Sequence, residues 1–206
     1  TTLGGASGLA EFPELCGAEG DMVKRCINLE DKKKFLNLMQ GYEKTANFFD
    51  TTIADNPSFG NIADGLITDA IKSTGAAKKG GRAPIVSVCD YAEPMPDSGL
   101  SLVCTPGNDV DAVTGLVAAG CNVVIFSTGL GTPTGNPIVP VLKISTNSTI
   151  ARRLSDMIDF DCGPVIDGTP LEDVSRVIET ASKDYVVKAD KLEQFDFMLW
   201  KRSLDL

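Results

Sequence analysis

The sequence of 206 residues contains no histidine, and this absence excludes several kinds of catalytic site from it. A Ser-His-Asp triad, a Cys-His pair and a zinc site built on imidazole each need at least one histidine. Any group that transfers a proton here must therefore be Lys, Glu, Asp, Tyr or Cys. A metal held by these residues should be a hard cation bound through oxygen, such as Mg2+, Mn2+, Ca2+ or Fe2+, unless a cysteine takes part.

The sequence also has little that favours nucleic-acid or membrane partners. Its net charge is −9, and its basic residues form no stripe interleaved with aromatic residues, so we expect no binding to phosphate backbones. No apolar run approaches the ~20 residues that cross a bilayer, and we recognise no secretory leader. The six cysteines are scattered without a CxxC pair, which is typical of reduced thiols. These features predict a soluble, cytoplasmic protein.

The composition allows one sizeable core. With 43% hydrophobic and 23% charged residues, the chain can bury the core of one domain, which we take to span residues 1–206. The sequence opens with Thr1 instead of an initiator methionine, and a strand-like stretch follows at once. We therefore expect the chain to be a fragment of a longer protein.

Short apolar runs alternate with helix-like stretches along the chain. The runs are rich in β-branched residues and bounded by Gly and Pro, which is typical of buried parallel strands. They span residues 7–11, 84–89, 100–104, 122–126 and 139–145. Helices are predicted at about 30–49 and 108–119, and from Asn61, Asn147 and the capping box of Thr169 and Glu172. The alternation predicts an α/β fold with one mainly parallel sheet flanked by helices.

The first two predicted helices each have an apolar face. In the helix at about 30–49, the apolar side chains that repeat every three or four residues are Phe35, Leu38, Met39, Tyr42 and Phe49. In the helix that begins at Asn61, they are Ile62, Leu66, Ala70 and Ile71. We expect both faces to pack against the sheet.

The residues that follow the predicted strands are unusually polar or rich in glycine. In a parallel α/β sheet the ligand normally lies beyond the carboxyl ends of the strands. The candidate ligand-contacting residues are therefore Glu11, Glu14, Thr105, Pro106, Gly107, Ser127, Thr128, Gly129, Gly131 and Asn147. We expect the segments after Glu11, Cys104 and Phe126 to lie along one edge of the sheet.

The longest of these segments contains the pattern GxGxxxG, starting at Gly129. A dinucleotide-binding fingerprint needs a helix directly after the glycines, but Pro137, Pro140 and a strand-like run follow instead. The pattern therefore predicts a loop whose backbone N–H groups and hydroxyls contact an anionic or polyhydroxylated ligand. A crowded crossing at which only glycine fits is the alternative.

Three charged side chains stand out as candidates for chemistry. Glu11 and Glu14 lie on either side of a proline at a strand end, where two carboxylates could hold a divalent cation or share a proton. One of them could instead cap the next helix. Lys143 lies within an apolar run, so its ammonium should meet a carboxylate, a substrate or a strand-end carbonyl. We expect it to point out of the strand's end, toward the same edge as the glycine-rich loop.

Many short motifs resemble the C-terminal portion of the altronate and galactarate dehydratase family. They occur in one order over almost the whole chain: Glu11-Phe12-Pro13-Glu14, Asn56-Pro57-Ser58-Phe59-Gly60-Asn61, Gly65-Leu66, Tyr91-Ala92-Glu93-Pro94, Gly99-Leu100, Thr105-Pro106-Gly107, Ser127-Thr128-Gly129-x-Gly131, Pro140-x-x-Lys143-x-x-Thr146-Asn147, Asp159-x-Asp161-x-Gly163, Asp167-Gly168 and Phe197-Met198-Leu199-Trp200-Lys201-Arg202. A single motif of this kind would be weak, but so many in one order are specific for the family.

The resemblance implies a Rossmann-like catalytic domain that dehydrates a sugar acid, such as altronate or galactarate, to a 2-keto-3-deoxy acid. It implies a divalent metal, expected as Fe2+ with Mn2+ or Mg2+ as alternatives. It also implies a homo-oligomer and a small β-rich N-terminal domain or small subunit that contributes upstream active-site residues. In that reaction Lys143 is the candidate base, and Glu11 and Glu14 are candidate metal ligands or acids.

The sequence departs from the family pattern at two positions. Leu130 lies between two glycines where many members have arginine, and Cys104 stands where many have aspartate or another small residue. Without an arginine to pair with a carboxylate, a six-carbon diacid is less favoured as substrate. Two alternatives stay open, a sulfo-lyase that acts on sulfolactate and a non-catalytic domain for sugar-acid binding or assembly.

Overall fold

The described strands form two parallel three-stranded sheets, each flanked by helices. A computed structural model of the chain describes residues 4–55, 59–63 and 68–175. The chain divides into two compact units, with the boundary between Cys121 and Asn122. The predicted α/β class with parallel strands is confirmed, but the sequence led us to expect one sheet. The sequence pattern indicates which residues form strands but not which strands pair, so it could not predict the division into two sheets.

The first unit contains three strands and five α-helices among its described residues. Their bounds are β1 Ala6–Leu9, α1 Glu19–Arg25, α2 Leu29–Phe48, α3 Phe59–Ala63, α4 Asp69–Lys79, β2 Ile85–Cys89, β3 Gly99–Val103 and α5 Asp109–Ala118. The strand order is β1-β3-β2, with Leu9 opposite Leu102 and Cys89 opposite Val103. The carboxyl ends of all three strands therefore meet at the same edge of this sheet.

Helix α2 packs its predicted apolar face into the core of the first unit. Four of its predicted core side chains are buried, namely Phe35, Leu38, Met39 and Tyr42. Phe35 meets Phe12 edge to face, with ring centroids 5.2 Å apart. Burying such a side chain contributes about 1.5–3 kcal/mol to folding. The prediction for Phe49 is wrong, because this residue follows the last helical turn and its side chain is exposed.

Helix α2 is also fixed at its amino end. The side chain of Asn28 accepts the amide of Asp31, and the carboxylate of Asp31 accepts the amide of Val88 in β2. The buried Asp31 therefore ties the first turn of the helix to the sheet. Bonds of this kind satisfy amides that the helix itself leaves without partners.

The helix predicted from Asn61 is two helices, α3 and α4. Ile62 and Ile71 were expected to face inward, but both are exposed, as is Ala70; Leu66 lies outside the described residues. Thr68 caps α4 by accepting the amide of Ile71. Asn61 therefore lies inside α3, which begins at Phe59, and the cap that starts the second helix is Thr68.

The second unit contains a smaller sheet. Its described elements are β4 Val124–Thr128, β5 Val141–Ser145, α6 Ser148–Arg153 and β6 Phe160–Asp161. The order is β4-β5-β6, and Thr128 lies opposite Ser145. Sequence analysis missed β6, which is only two residues long and has one apolar side chain. A helical segment begins at the predicted position after Thr169 and occupies residues 171–175. The rest of that predicted helix lies outside the described residues.

Two further observations concern the chain as a whole. None of the helices in the described ranges has the length and apolar character needed to cross a membrane. All six cysteines lie in those ranges, and all six are free thiols.

Candidate functional site

Thr105 joins the loops after β1 and β3 by hydrogen bonds. The amide of Glu11 donates to Oγ1 of Thr105 at 2.8 Å, and the amide of Phe12 donates to the Thr105 carbonyl at 3.0 Å. These bonds hold the start of the Phe12–Leu15 turn against the end of β3. We call this region the carboxylate edge, defined by Glu11, Glu14, Lys72, Thr105 and Gly107.

Glu11 has an unusual backbone and a partly buried carboxyl group. Its φ and ψ are 67° and 66°, in the left-handed region, which costs a residue with a β-carbon about 1–2 kcal/mol. Burial raises the pKa of its carboxyl to about 7, and the nearby Lys79 opposes that shift. Strained backbone and a perturbed carboxyl together are typical of functional sites.

Glu14 lies one turn further on and is held as an ion pair. Its Oε2 is 3.1 Å from Nζ of Lys72 in α4, and both side chains are largely buried, at 13% and 21% exposure. A β-carbon at Gly107 would lie 3.4 Å from Oε1 of Glu14, so the loop after β3 closely approaches this carboxylate. Glu14 therefore contacts α4 instead of capping the helix that follows.

The two carboxyl groups do not make a metal site by themselves. Across 4–55, 59–63 and 68–175, no three His, Cys, Asp or Glu side chains are grouped as a metal ion would need. Glu14 is engaged by Lys72, and Glu11 favours its uncharged form up to about pH 7. A cation that binds here would therefore have to displace the proton of Glu11 and the ammonium of Lys72.

Sequence analysis missed several charged residues at this edge. Lys72 and Lys79 lie on α4, and Asp109 begins α5; all three act electrostatically on Glu11. Asp111 is 5% exposed, and its Oδ1 has no hydrogen-bond partner among the described residues. Burial raises the pKa of this carboxyl too. The sequence carried a signal only for Asp111, as a charged residue within the apolar stretch of α5.

The glycine-rich loop after β4 satisfies many of its own polar groups. Oγ1 of Thr128 accepts the amide of Gly131 at 2.9 Å. Gly131 has a φ of 89°, and a β-carbon there would overlap Leu154, so one part of this loop is a crowded crossing. Gly129 has open space where a β-carbon would lie. The loop leads into β5, so the rejection of a dinucleotide fingerprint is confirmed.

Asn147 lies at the same edge of the second sheet, but its side chain has a structural role. Its Oδ1 accepts the amides of Thr149 and Ile150 at 3.0 and 3.2 Å and so caps α6. Ser145, opposite Thr128, exchanges hydrogen bonds with the backbone of Asn147. This network fixes the loop after β5 and leaves exposed backbone in the loop after β4 as the ligand-contact candidate.

Lys143 is fully buried in the middle of β5. Its Nζ lies 3.4 Å from the carbonyl oxygen of Val141, at the start of the strand. Its amide donates to the carboxylate of Asp159 at 2.7 Å. The sequence predicted an ammonium that points beyond the last residue of the strand, and the contact with Val141 places it toward the first residue.

The predicted site residues therefore form two sets, one in each unit. Glu11, Glu14, Thr105, Pro106 and Gly107 come together at the edge of the first sheet. The second unit contains the other predicted site residues, namely Ser127, Thr128, Gly129, Gly131, Lys143 and Asn147. The expectation of a shared edge is met for the segments after Glu11 and Cys104.

Comparison with known proteins identifies the family. A model of the C-terminal region of D-galactarate/altronate dehydratases matches residues 1–204. The chain belongs to this family. The resemblance inferred from the sequence motifs is therefore confirmed, and the carboxylate edge is a feature of a D-galactarate/altronate dehydratase C-terminal region.

Three relatives show how much of a family protein the chain represents. It is 38% identical over 184 residues to the altronate dehydratase of Escherichia coli (strain K12), covering 87% of this chain and 37% of that protein. It is 36% identical over 209 residues to the altronate dehydratase of Bacillus subtilis (strain 168), covering 98% of this chain and 42% of that protein. It is 34% identical over 159 residues to the galactarate dehydratase (L-threo-forming) of Escherichia coli (strain K12), covering 77% of this chain and 30% of that protein. The chain thus spans less than half the length of each relative.

Proposed function

We propose that this chain is the catalytic part of a hydro-lyase that removes water from a sugar acid. The product would be a 2-keto-3-deoxy acid. Membership of the dehydratase family and the names of three relatives support the reaction class. The observation that carries the proposal into this chain is Glu11, a partly buried carboxyl on a left-handed backbone beyond β1, whose pKa burial raises to about 7.

Dehydration needs an acid as well as a base. The hydroxide that leaves from the carbon next to the acidic C–H is a poor leaving group, so a proton must be delivered to its oxygen. A carboxyl group with a pKa of about 7 is well matched to that task at neutral pH. We assign this role to Glu11.

Other charges at the carboxylate edge act on Glu11 in both directions. The carboxylate of Glu14 raises the pKa of Glu11, whereas Lys72, which is ion-paired with Glu14, lowers it. Asp109 also raises the pKa of Glu11. The proposed acid is therefore Glu11, whose pKa is raised chiefly by burial, and Glu14 is the ion-pair partner of Lys72.

The exposed backbone of the glycine-rich loop is the proposed contact for the substrate's hydroxyl and carboxylate oxygens. Gly129 leaves open space at its α-carbon, and Leu130 is 49% exposed. An apolar side chain at this position offers no partner to a second carboxylate. We therefore propose an aldonate such as altronate, with one carboxylate, in preference to an aldarate such as galactarate.

We do not assign Lys143 as the base, because its ammonium lies against the carbonyl of Val141 and is fully buried. The chain spans 30–42% of the three relatives' lengths. We propose that the remainder of the protein, as an N-terminal domain or a small subunit, supplies the base and the ligands of the expected ferrous ion. A homo-oligomer is likewise proposed.

The test uses the full-length protein, kept reduced and supplied with Fe2+, Mn2+ or Mg2+. Altronate, other aldonates, aldarates and sulfolactate are offered in parallel, and release of a 2-keto-3-deoxy acid or of sulfite is measured. We expect a keto acid from an aldonate, at a higher kcat/KM than from any aldarate. Sulfite release would identify a sulfo-lyase, and binding of sugar acids without any product would identify a binding domain.

A further inference from the structure

The hydroxyl of Thr105 is fully committed within the protein. It accepts the amide of Glu11 at 2.8 Å and donates to the carbonyl of Pro106 at 3.2 Å. The residue has no exposed surface. A hydroxyl has one proton to donate, and here that proton is already used. A buried, committed hydroxyl has no means of binding a substrate oxygen.

The methyl group of Thr105 fixes the direction of that hydroxyl. A β-carbon added at Gly115 of α5 would lie 2.7 Å from Cγ2 of Thr105 and 2.7 Å from the ring of Tyr91. The absence of a side chain at Gly115 thus lets the methyl group sit directly against the helix. With its methyl group packed there, Thr105 keeps one χ1 rotamer, and its oxygen stays on Glu11.

The residue that receives this support is the one with a costly backbone. Glu11 has left-handed φ and ψ angles, which strongly favour glycine over residues with a β-carbon. The carbonyl of Thr105 additionally accepts the amide of Phe12, so both peptide N–H groups around the strained residue are bound by the same threonine. Such strain persists only where the surroundings determine the conformation.

We propose that Thr105 is a positioning residue, which holds Glu11 in its left-handed conformation and so aims the Glu11 carboxyl, and that it does not bind substrate. The catalytic half of this inference rests on the proposed dehydratase function. The conformational half rests on geometry alone and has its own readout.

The test compares Thr105→Val, which keeps the shape and removes the hydroxyl, with Thr105→Ser, which keeps the hydroxyl and removes the methyl group. In the full-length enzyme we expect Thr105→Val to lower kcat about 10- to 100-fold, typical of a misplaced catalytic group, with KM changed less than about 3-fold. Thr105→Ser should recover most of kcat. Thr45→Val is the control, because the hydroxyl of Thr45 also bonds a backbone carbonyl, in α2.

Amide hydrogen exchange gives the readout that needs no activity. In Thr105→Val the amide of Glu11 should exchange faster, and in Thr105→Ser it should exchange as in the wild type. The effect should also depend on strain. In a Glu11→Gly background, where left-handed angles cost little, Thr105→Val should lower Tm by clearly less than it does in the wild type.

The outcomes separate the two proposals. A raised KM with unchanged kcat and unchanged exchange at Glu11 would make Thr105 a substrate-binding residue and overturn the inference. Equal losses of Tm in the wild-type and Glu11→Gly backgrounds would also overturn it. If the wild type dehydrates no sugar acid while exchange and Tm behave as expected, the positioning role stands and the proposed function fails.

Discussion

The two sheets of this chain end in loops of opposite character. At the edge of the first sheet, Glu11, Glu14 and Lys72 bring charge into largely buried positions, and Glu11 holds a strained backbone. At the edge of the second sheet, the side chains of Thr128, Asn147 and Asp161 accept backbone amides close by in sequence. The first edge therefore combines charged groups with a strained backbone, whereas the second edge is held by local hydrogen bonds.

This difference assigns different tasks to similar positions in the two sheets. A buried carboxyl with a raised pKa can transfer a proton at neutral pH, and it destabilises the fold in return. A loop of glycines and small hydroxyls offers shape and backbone donors without that cost. Substitutions at the first edge should therefore change turnover more than stability, and those in the second unit should do the reverse.

The largest effect is expected at Glu11. Glu11→Gln keeps the size of the side chain and removes the acid, so turnover should fall by about 10²- to 10⁴-fold. Its stability should hold or rise, since a buried ionisable group is replaced by a neutral one. Glu43→Gln, an exposed change on α2, is the matched control and should alter neither quantity. Preserved turnover in Glu11→Gln would remove the acid role and with it the contrast between the two edges.

The next largest effect is expected at Lys143, on stability. The residue is fully buried, and its ammonium bonds to the carbonyl of Val141. Because removal of the ammonium takes a hydrogen-bond donor away from the buried carbonyl of Val141, Lys143→Met should lower the free energy of unfolding by about 1–3 kcal/mol. Urea unfolding measures this, with the exposed Lys44→Met as control.

Turnover separates the two roles of Lys143. Turnover per folded molecule should change less than about 5-fold, well below the loss typical of a missing acid or base. A loss of two orders of magnitude in turnover at unchanged stability would restore Lys143 as the base predicted from the sequence.

Glu11 and Lys143 show what the sequence could and could not predict. Strand and helix periods located β2 to β5, α2 and α5 to within a few residues, and motif order identified the family. The rule that ligands lie beyond strand ends selected both Glu11 and Thr105. The direction of the Lys143 side chain and the contacts of Lys72 depend on three-dimensional packing, which no spacing in the sequence specifies. For the same reason Thr105 was expected to bind substrate, although its hydroxyl is buried against Glu11.

The raised pKa of Glu11 also predicts how stability depends on pH. The pKa of Glu11 is about 7 in the folded protein, whereas its ordinary value is 4.5. Between these two pH values the folded protein therefore keeps a proton on Glu11 that the unfolded chain has lost. The contribution of Glu11 to the free energy of unfolding should therefore be greatest below about pH 4.5, and should fall by about 3 kcal/mol as the pH rises to 7. Asp111, whose pKa is also raised, acts in the same direction.

The difference between wild type and Glu11→Gln isolates the contribution of Glu11. Unfolding free energies measured from pH 4.5 to 8 should decline more steeply in the wild type, and the two curves should run parallel above about pH 7. In the same enzyme, turnover that depends on protonated Glu11 should decrease above about pH 7. Curves that stay parallel over the whole range would contradict the raised pKa.

The smallest effects are expected in the second unit, at two glycines of one loop. Gly131 has a φ of 89°, and its β-carbon would overlap Leu154, whereas Gly129 faces open space and has no positive φ. Gly131→Ala should therefore lower the free energy of unfolding by about 2 kcal/mol, from backbone strain and overpacking, and Gly129→Ala by less than about 0.5 kcal/mol. Urea unfolding of the two variants measures this, each serving as the other's control. If the loop contacts substrate through its exposed backbone, Gly129→Ala should raise KM for the sugar acid several-fold at nearly constant kcat. A Gly129→Ala enzyme with unchanged KM would leave the glycines with a packing role alone, and would place substrate recognition elsewhere in the protein.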